Sequence, residues 1–472
     1  MKRYRTAALV LVASLGGCAA SPGELLSEAA ASTSQTLCSK VFVAGLDPRA
    51  VFAEHLRPEP GMGLIAGLIR YDIDREARSV VTTVGGRFRR EAVWREGRGC
   101  TLTYPGTPAP QALVRRPAEP ARLPPIAGPE AVATDNPALR RALDMAFAES
   151  GNGSPRMTKA IVIVKAGKVI AERYAPGYGV DTPLLSHSIA KSVVNALIGI
   201  LVQRGDLSVT DPAPVAAWRT ADGPNGAVTV ENLMRMNAGF GFDEGTGAGI
   251  ATHMWYTQPD MAAFAAGAVR ETGPGEAWGY SSRSYVLLSR IIGDRVGGGP
   301  QGLDDFARRE LFDPLGMNSV TLEYDASGTL MGANSLYATP RDWARFGLLY
   351  LHDGVIEGRR ILPEGWVGWS TRPTGGMGYG AGFWLNTTDA KIPTWGNRWG
   401  LPGAPKDAFM ARGYMGQYIV VVPSEDLVVV RFGQSHGGDG DIAGVGALVR
   451  DVVASVRAPA QVSSRRGSAS RS

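Results

Sequence analysis

Pro183–Leu207 reads PLLSHSIAKSVVNALIGILVQRGDL, and the fold of the chain turns on it. A hydroxyl and an amine, Ser188 and Lys191, stand three residues apart at the mouth of an apolar run. Pro183 lies upstream and Val193–Val202 is almost wholly apolar, which predicts a buried helix with Ser188 in its first turn. Residues three apart share a helix face, so the amine can reach the hydroxyl. Free backbone N–H groups and the helix dipole favour negative charge developing at that end. A serine hydroxyl is a poor nucleophile until a base takes its proton. A lysine serves as that base only when neutral, and burial beside a positive helix end is expected to lower its pKa. The pair suits an acyl-transfer nucleophile; it also suits a helix-capping serine beside a solvated lysine.

Two further stretches bear on that choice. Pro274–Ser282, PGEAWGYSS, sets a turn before the helix-like run Ser284–Val296 and delivers Tyr280 and Ser282 to its start. A phenol ionises near pH 10 when unperturbed, and a neighbouring ammonium can bring it into use as a proton shuttle. Ser282 can hydrogen-bond beside it. Read alone, Tyr280 is better explained as a buried turn tyrosine. Near the C-terminus, Gly413–Gln417 reads GYMGQ, within a strand pair. Gly416 permits close approach to the backbone, and an N–H there, with that of Ser188, can form an oxyanion hole. A strand kink would use the same glycine.

The main domain is expected over residues 136–457. PALRRALDMAFAE has helical spacing, and TKAIVIVKAGKVIAERYA is two strands about a tight turn at Ala166–Lys168. AFMARGYMGQYIVVVPSEDLVVVRFG reads as three adjacent strands, and Ile442–Val456 as a last helix. Strands at both ends with helices between predict an α+β fold, one antiparallel sheet built from both ends of the domain. Upstream, residues 38–104 alternate as a small β-rich subdomain, and residues 105–135 carry a cluster of prolines expected as a linker or a strap over the surface. Residues 19–37 are small and polar, a tether; residues 458–472 are an Arg/Ser-rich tail expected to be disordered.

Taken in order, Ser-x-x-Lys, Tyr-x-Ser and the glycine-bearing strand resemble the serine β-lactamase and penicillin-binding-protein superfamily. The likeness is to its class C-like branch, with family VIII esterases and 6-aminohexanoate-dimer hydrolases. TVENLMRMNAGF, ELFDPLGMNSV and YATPRDWARFGLLYLHDG carry it further. The resemblance implies a β-lactamase/DD-peptidase-like sheet flanked by helices, plus an all-helical region. It implies Ser188 as nucleophile, Lys191 sharing its proton, and Tyr280 as general base and then acid. It places the oxyanion donors at Ser188 and Gln417, beside Gly416. Ser282 stands where many relatives carry Asn. Tyr414 stands where lactam-hydrolysing relatives carry Lys or His, a cation that grips a carboxylate. That departure favours an ester or a linear amide as substrate. A β-lactamase or peptidoglycan DD-peptidase, and an envelope binding protein that kept the fold without the chemistry, are the alternatives.

Composition reads as an ordinary globular protein. Of 472 residues 44% are hydrophobic and 20% charged, and the formal net charge of +5 is spread without a basic stripe, so nucleic acid is not an expected partner. The five histidines show no metal-ligand spacing, and neither metal nor cofactor is expected. His187 reads as a packing or rim residue, His436 as near the site, and Trp255, Tyr256, Trp395 and Trp399 as packing or cleft lining. Lys2, Arg3 and Arg5 precede an apolar stretch ending Leu15-Gly-Gly-Cys18, an export signal over residues 1–18. The stretch resembles a lipobox, which implies a lipidated Cys18 and a membrane anchor facing the periplasm; plain cleavage would discard Cys18 instead. In such a compartment Cys38 and Cys100 can pair as a disulfide or remain buried thiols.

Overall fold

The computed structural model describes residues 21–149, 155–219, 225–244, 249–386, 400–437 and 440–457. The proposed signal, Cys18, Trp395, Trp399 and the tail lie outside them.

The described residues open with helix α1 (Pro22–Phe42), where a tether over residues 19–37 was expected. Its start is written as a capping box: Glu24 N donates to Ser21 Oγ at 3.2 Å, Ser21 N to Glu24 Oε2 at 2.6 Å, and Pro22 fills the first turn. The small residues that read as flexible are what let the helix lie close on a sheet; Ala29, Ala30 and Ala31 are buried. That sheet is a four-stranded antiparallel meander, β1 (Ile69–Asp74), β2 (Ser79–Val84), β3 (Phe88–Arg95) and β4 (Gly99–Leu102). Its alternation matches the hairpins expected from the sequence. Cys38 on α1 and Cys100 on β4 form a disulfide with 6.1 Å between Cα atoms. The subdomain therefore begins at α1, not at residue 38.

Residues 105–135 form a strap of the kind the prolines suggested. Leu113, Leu123 and Ile126 are buried, and Arg122 N and Leu123 N both donate to Pro314 O. Beyond it come α2 (Pro137–Phe147), β5 (Thr158–Lys165) and β6 (Lys168–Tyr174). Ala166 and Gly167 both take positive φ, at 49° and 74°, the two-residue hairpin turn whose twist suits the flanking strands.

The central helix α3 (Ala190–Gln203) is buried on nearly every side, as its apolar run requires. Helices α4 (Ser282–Val296) and α5 (Pro340–Leu351) follow, then strands β7 (Trp384–Leu385), β8 (Phe409–Gly413), β9 (Gln417–Val422) and β10 (Leu427–Gly433), and helix α6 (Ile442–Arg457). The sheet order is β7-β8-β9-β10-β5-β6, antiparallel throughout. The last strand of the chain thus pairs with the first of the domain, Val429 opposite Ile163. β10 is buried along its whole length, so apart from Arg431 it reads as an apolar run rather than an alternating one. Helix α5 lies across β9 and β10 at close range: a Cβ on Gly347 would meet Val428 Cγ1 at 2.6 Å. No helix among the described residues is long and apolar enough to cross a membrane.

Candidate active site

Ser188 sits in a 3-10 turn (His187–Ile189) that runs directly into α3. Its predecessor His187 has φ 45°, a left-handed conformation costly for a residue with a side chain. Lys191, one turn on, is 1% exposed. Its Nζ donates to Ser188 Oγ, to Ser282 Oγ and to Ala333 O, each at 3.0 Å. Three acceptors saturate the ammonium and fix it beside Ser188 Oγ.

Tyr280 and Ser282 arrive from the turn that starts α4. Asp243 holds that turn: it accepts from Ser281 Oγ at 2.5 Å, Ser282 N at 2.9 Å and Arg283 Nε at 2.8 Å. The loop carrying Asp243 is pressed against it, since a Cβ on Gly279 would lie 2.5 Å from the carbonyl carbon of Gly241. The Tyr280 ring centroid is 4.9 Å from Lys191 Nζ, and the ring stacks on Trp384 with centroids 5.2 Å apart. The structure thus brings Ser188, Lys191, Tyr280 and Ser282 together.

Glu244 completes the cluster, and sequence reasoning passed over it. Its Oε1 lies 3.6 Å from Lys191 Nζ and accepts from Ser282 Oγ. The signal was present as adjacent acids, Asp243-Glu244, closing a glycine-rich apolar stretch.

The proton inventory differs from expectation. Burial is the largest influence on Lys191 and lowers its pKa, but Tyr280, Glu244 and Asp243 outweigh it and the net shift is upward. Burial also raises Tyr280, against the opposing effects of Lys191 and of hydrogen bonding to Ser188. Glu244 is raised by burial, with Lys191 opposing. The resting lysine is therefore not the free amine that burial alone would give; acids brought in by the fold hold its proton.

The glycine strand is arranged otherwise than the sequence suggested. Gly416 has φ 81°, and the group that approaches it is the Arg431 guanidinium, which donates to Gly416 O at 2.6 Å. Gln417 Nε2 donates to Tyr414 O at 2.9 Å and to Gly433 O at 2.7 Å, locking the β8–β9 turn from behind. It is Gly413 that abuts the turn carrying Ser188: a Cβ there would lie 2.3 Å from Ser186 O. Tyr414 Oη donates to Glu59 Oε2 at 3.1 Å, and its ring meets that of His187 edge-on at 5.7 Å. His187 in turn stacks against His55 at 5.8 Å. His436 Nε2 lies 2.7 Å from Glu54 O. His55 and Glu59 belong to the N-terminal subdomain, so this small module reaches the rim of the site. Trp255 packs on the main core and Tyr256 on the subdomain core. Among the described residues no group of three or more His, Cys, Asp or Glu is placed to hold a metal ion.

A family model described as Beta-lactamase matches residues 154–454, which is most of the chain and all of the cluster above. The chain belongs to the Beta-lactamase family. A 6-aminohexanoate-dimer hydrolase of Paenarthrobacter ureafaciens is 25% identical over 348 residues, covering 68% of this chain and 81% of its own. Among solved structures, a provisional 6-aminohexanoate-dimer hydrolase from Bacillus anthracis aligns with a TM-score of 0.56 at 20% identity, covering 72% of this chain and 90% of its own. A penicillin-binding-protein homologue from Caulobacter crescentus aligns with a TM-score of 0.51 at 19% identity, covering 69% and 98%. These likenesses share the fold: a mixed helix and antiparallel-sheet domain of β-lactamase-type hydrolases.

Proposed function

We propose that this Beta-lactamase family member is a serine hydrolase that cleaves a carboxylic ester or a linear amide through an acyl-enzyme on Ser188. The observation that carries the reading is Lys191 Nζ, held 3.0 Å from both Ser188 Oγ and Ser282 Oγ. Ser282 bridges Lys191 to Glu244, so the ammonium proton has a short route to a buried carboxylate whose pKa burial raises. With that proton on Glu244, Lys191 is an amine and takes the proton of Ser188 as Oγ attacks the carbonyl carbon. Tyr280 then gives its phenolic proton to the leaving oxygen or nitrogen as the carbonyl–heteroatom bond breaks, and Lys191 returns a proton to Tyr280. Water enters by the reverse route and releases the acid.

Two N–H groups suit the oxyanion. Among the described residues no acceptor takes the backbone N–H of Ser188 or of Tyr414, and Gly413 brings the Tyr414 peptide beside the nucleophile turn. We place the second donor at Tyr414 rather than at Gln417. The Tyr414–Glu59 contact supports a substrate lacking a carboxylate at that end, because an acid of the protein already accepts from the phenol. The Cys38–Cys100 disulfide fits an oxidising compartment, and we place the protein in the bacterial envelope.

The test is turnover of a short-chain nitrophenyl ester, with nitrocefin at equal concentration beside it. Ester hydrolysis that Ser188→Ala abolishes without unfolding supports the reading. Retained turnover in that variant removes Ser188 from the mechanism. A strong preference for the lactam makes the protein a β-lactamase, and a folded protein that no fluorophosphonate probe labels is a binding protein.

A further inference from the structure

A second polar site lies apart from Ser188, where the N-terminal subdomain meets the sheet. It is a small cavity lined by Lys40, His55, Lys159, His187 and Gln434, with an apolar floor that includes Leu46 and Phe432. Lys40 comes from the last turn of α1 and is 6% exposed. Among the described residues no carboxylate is salt-bridged to its Nζ, and no acid figures among the charges acting on it. The carboxylate in reach of the cavity is already used: Glu54 Oε2 pairs with Lys159 Nζ at 2.7 Å. His55 is equally buried, and its Nδ1 has no hydrogen-bond partner. Gln434 Oε1 is likewise unpartnered and buried; turned over, that amide presents two donors.

The cavity therefore brings together an ammonium that no carboxylate neutralises and an unpartnered imidazole nitrogen. A buried lone charge is strongly unfavourable unless it is paired or neutralised. Burial, with Lys159 nearby, holds Lys40 down at about 8, which still leaves most of it protonated at neutral pH. The histidines are pushed down by burial and by Lys40, so each is neutral; His187 gives its Nδ1–H to Asn334 Oδ1 at 3.2 Å, and His55 is the one left with an N–H for the cavity. The space accommodates one or two water-sized bodies, too little for a phosphate or a nucleotide.

We propose that this junction binds a small monovalent anion of halide size, with Lys40 as its charge partner and His55 as a donor. The anion ties α1 to the turn that carries His187, the residue before the nucleophile, and so joins the subdomain to the rim of the site. Thermal unfolding of the full chain at pH 7, in sodium bromide against sodium gluconate at equal ionic strength, reads the binding. A saturable rise in Tm of a few degrees is expected with bromide. Lys40→Met is expected to lose that rise and, in gluconate, to unfold no lower than the parent, because the isolated charge is gone. In crystals of the unsubstituted protein grown with bromide, an anomalous peak is expected between Lys40 Nζ and His55. Equal Tm in the two salts, a bromide response that survives in Lys40→Met, or junction density that is water alone overturns the proposal. The crystallographic result stands even where the variant fails to fold.

Discussion

Tyr414 gives its hydroxyl hydrogen to Glu59 Oε2 across 3.1 Å, linking the turn at the end of the catalytic sheet edge to the N-terminal subdomain. Burial raises Glu59 to about 7, with the Tyr414 hydrogen bond opposing. Above that pH the rim carries a negative charge.

Glu59→Gln is accordingly expected to raise kcat/KM for a carboxylate-bearing nitrophenyl ester about tenfold relative to an uncharged ester of the same length. In the unsubstituted protein the discrimination should grow as pH rises through 7, since Glu59 ionises there. A pair of kinetic titrations checks this; selectivity that is flat with pH and unchanged in the variant would count against a role for Glu59.

In the proposed mechanism Glu244 acts through Ser282 and Lys191, so its replacement should change the shape of the pH profile and not merely its height. Glu244→Gln leaves the Lys191 proton with no internal acceptor. Turnover at pH 7 is expected to fall about 100-fold and to recover as pH rises and the proton leaves to solvent. A uniform loss at every pH would mean that Glu244 only supports the loop.

Gly413 is the point where β8 touches the turn carrying Ser188. Gly413→Ala places a methyl group 2.3 Å from Ser186 O, which the backbone cannot accommodate without moving. Ester turnover and the rate of fluorophosphonate labelling should both drop about 100-fold, because sub-ångström placement governs attack. Normal labelling in a folded variant would show the contact to be incidental.

Glu323 joins the two parts of the molecule. It accepts from Ser39 Oγ at 2.7 Å and Cys100 N at 2.9 Å, and burial raises it to about 7 from 4.5 despite those donors. Between these values the folded state holds a proton that the unfolded state has lost, so stability falls as pH rises. Glu323→Gln should remove up to about 3 kcal/mol of that slope between pH 4.5 and 7. Denaturant unfolding across this range, with and without the substitution, measures the difference.

The linear order of residues determined a good deal here. The apolar run after Lys191 had to be a buried helix, and the spacing of Ser188 and Lys191 put both on one face of it. The alternation around Ala166-Gly167 and in the last strands gave a sheet built from both ends of the domain. Those are local signals, written within a few residues of one another. The helix at 22–42 was legible in its capping box, yet its alanines and serines look alike in a tether and in a helix packed on a sheet. What only the tertiary structure decided is the electrostatics. Glu244 comes to Lys191 from another loop, Glu59 comes to Tyr414 from 355 residues away, and Glu323 comes to Cys100 across 223. A charge acts over distance through space, and its effect depends on burial and neighbours, neither of which is carried by sequence spacing. That is why the pairing of Ser188 with Lys191 could be read in the chain, while the protonation of Lys191 and the occupants of the rim required the fold.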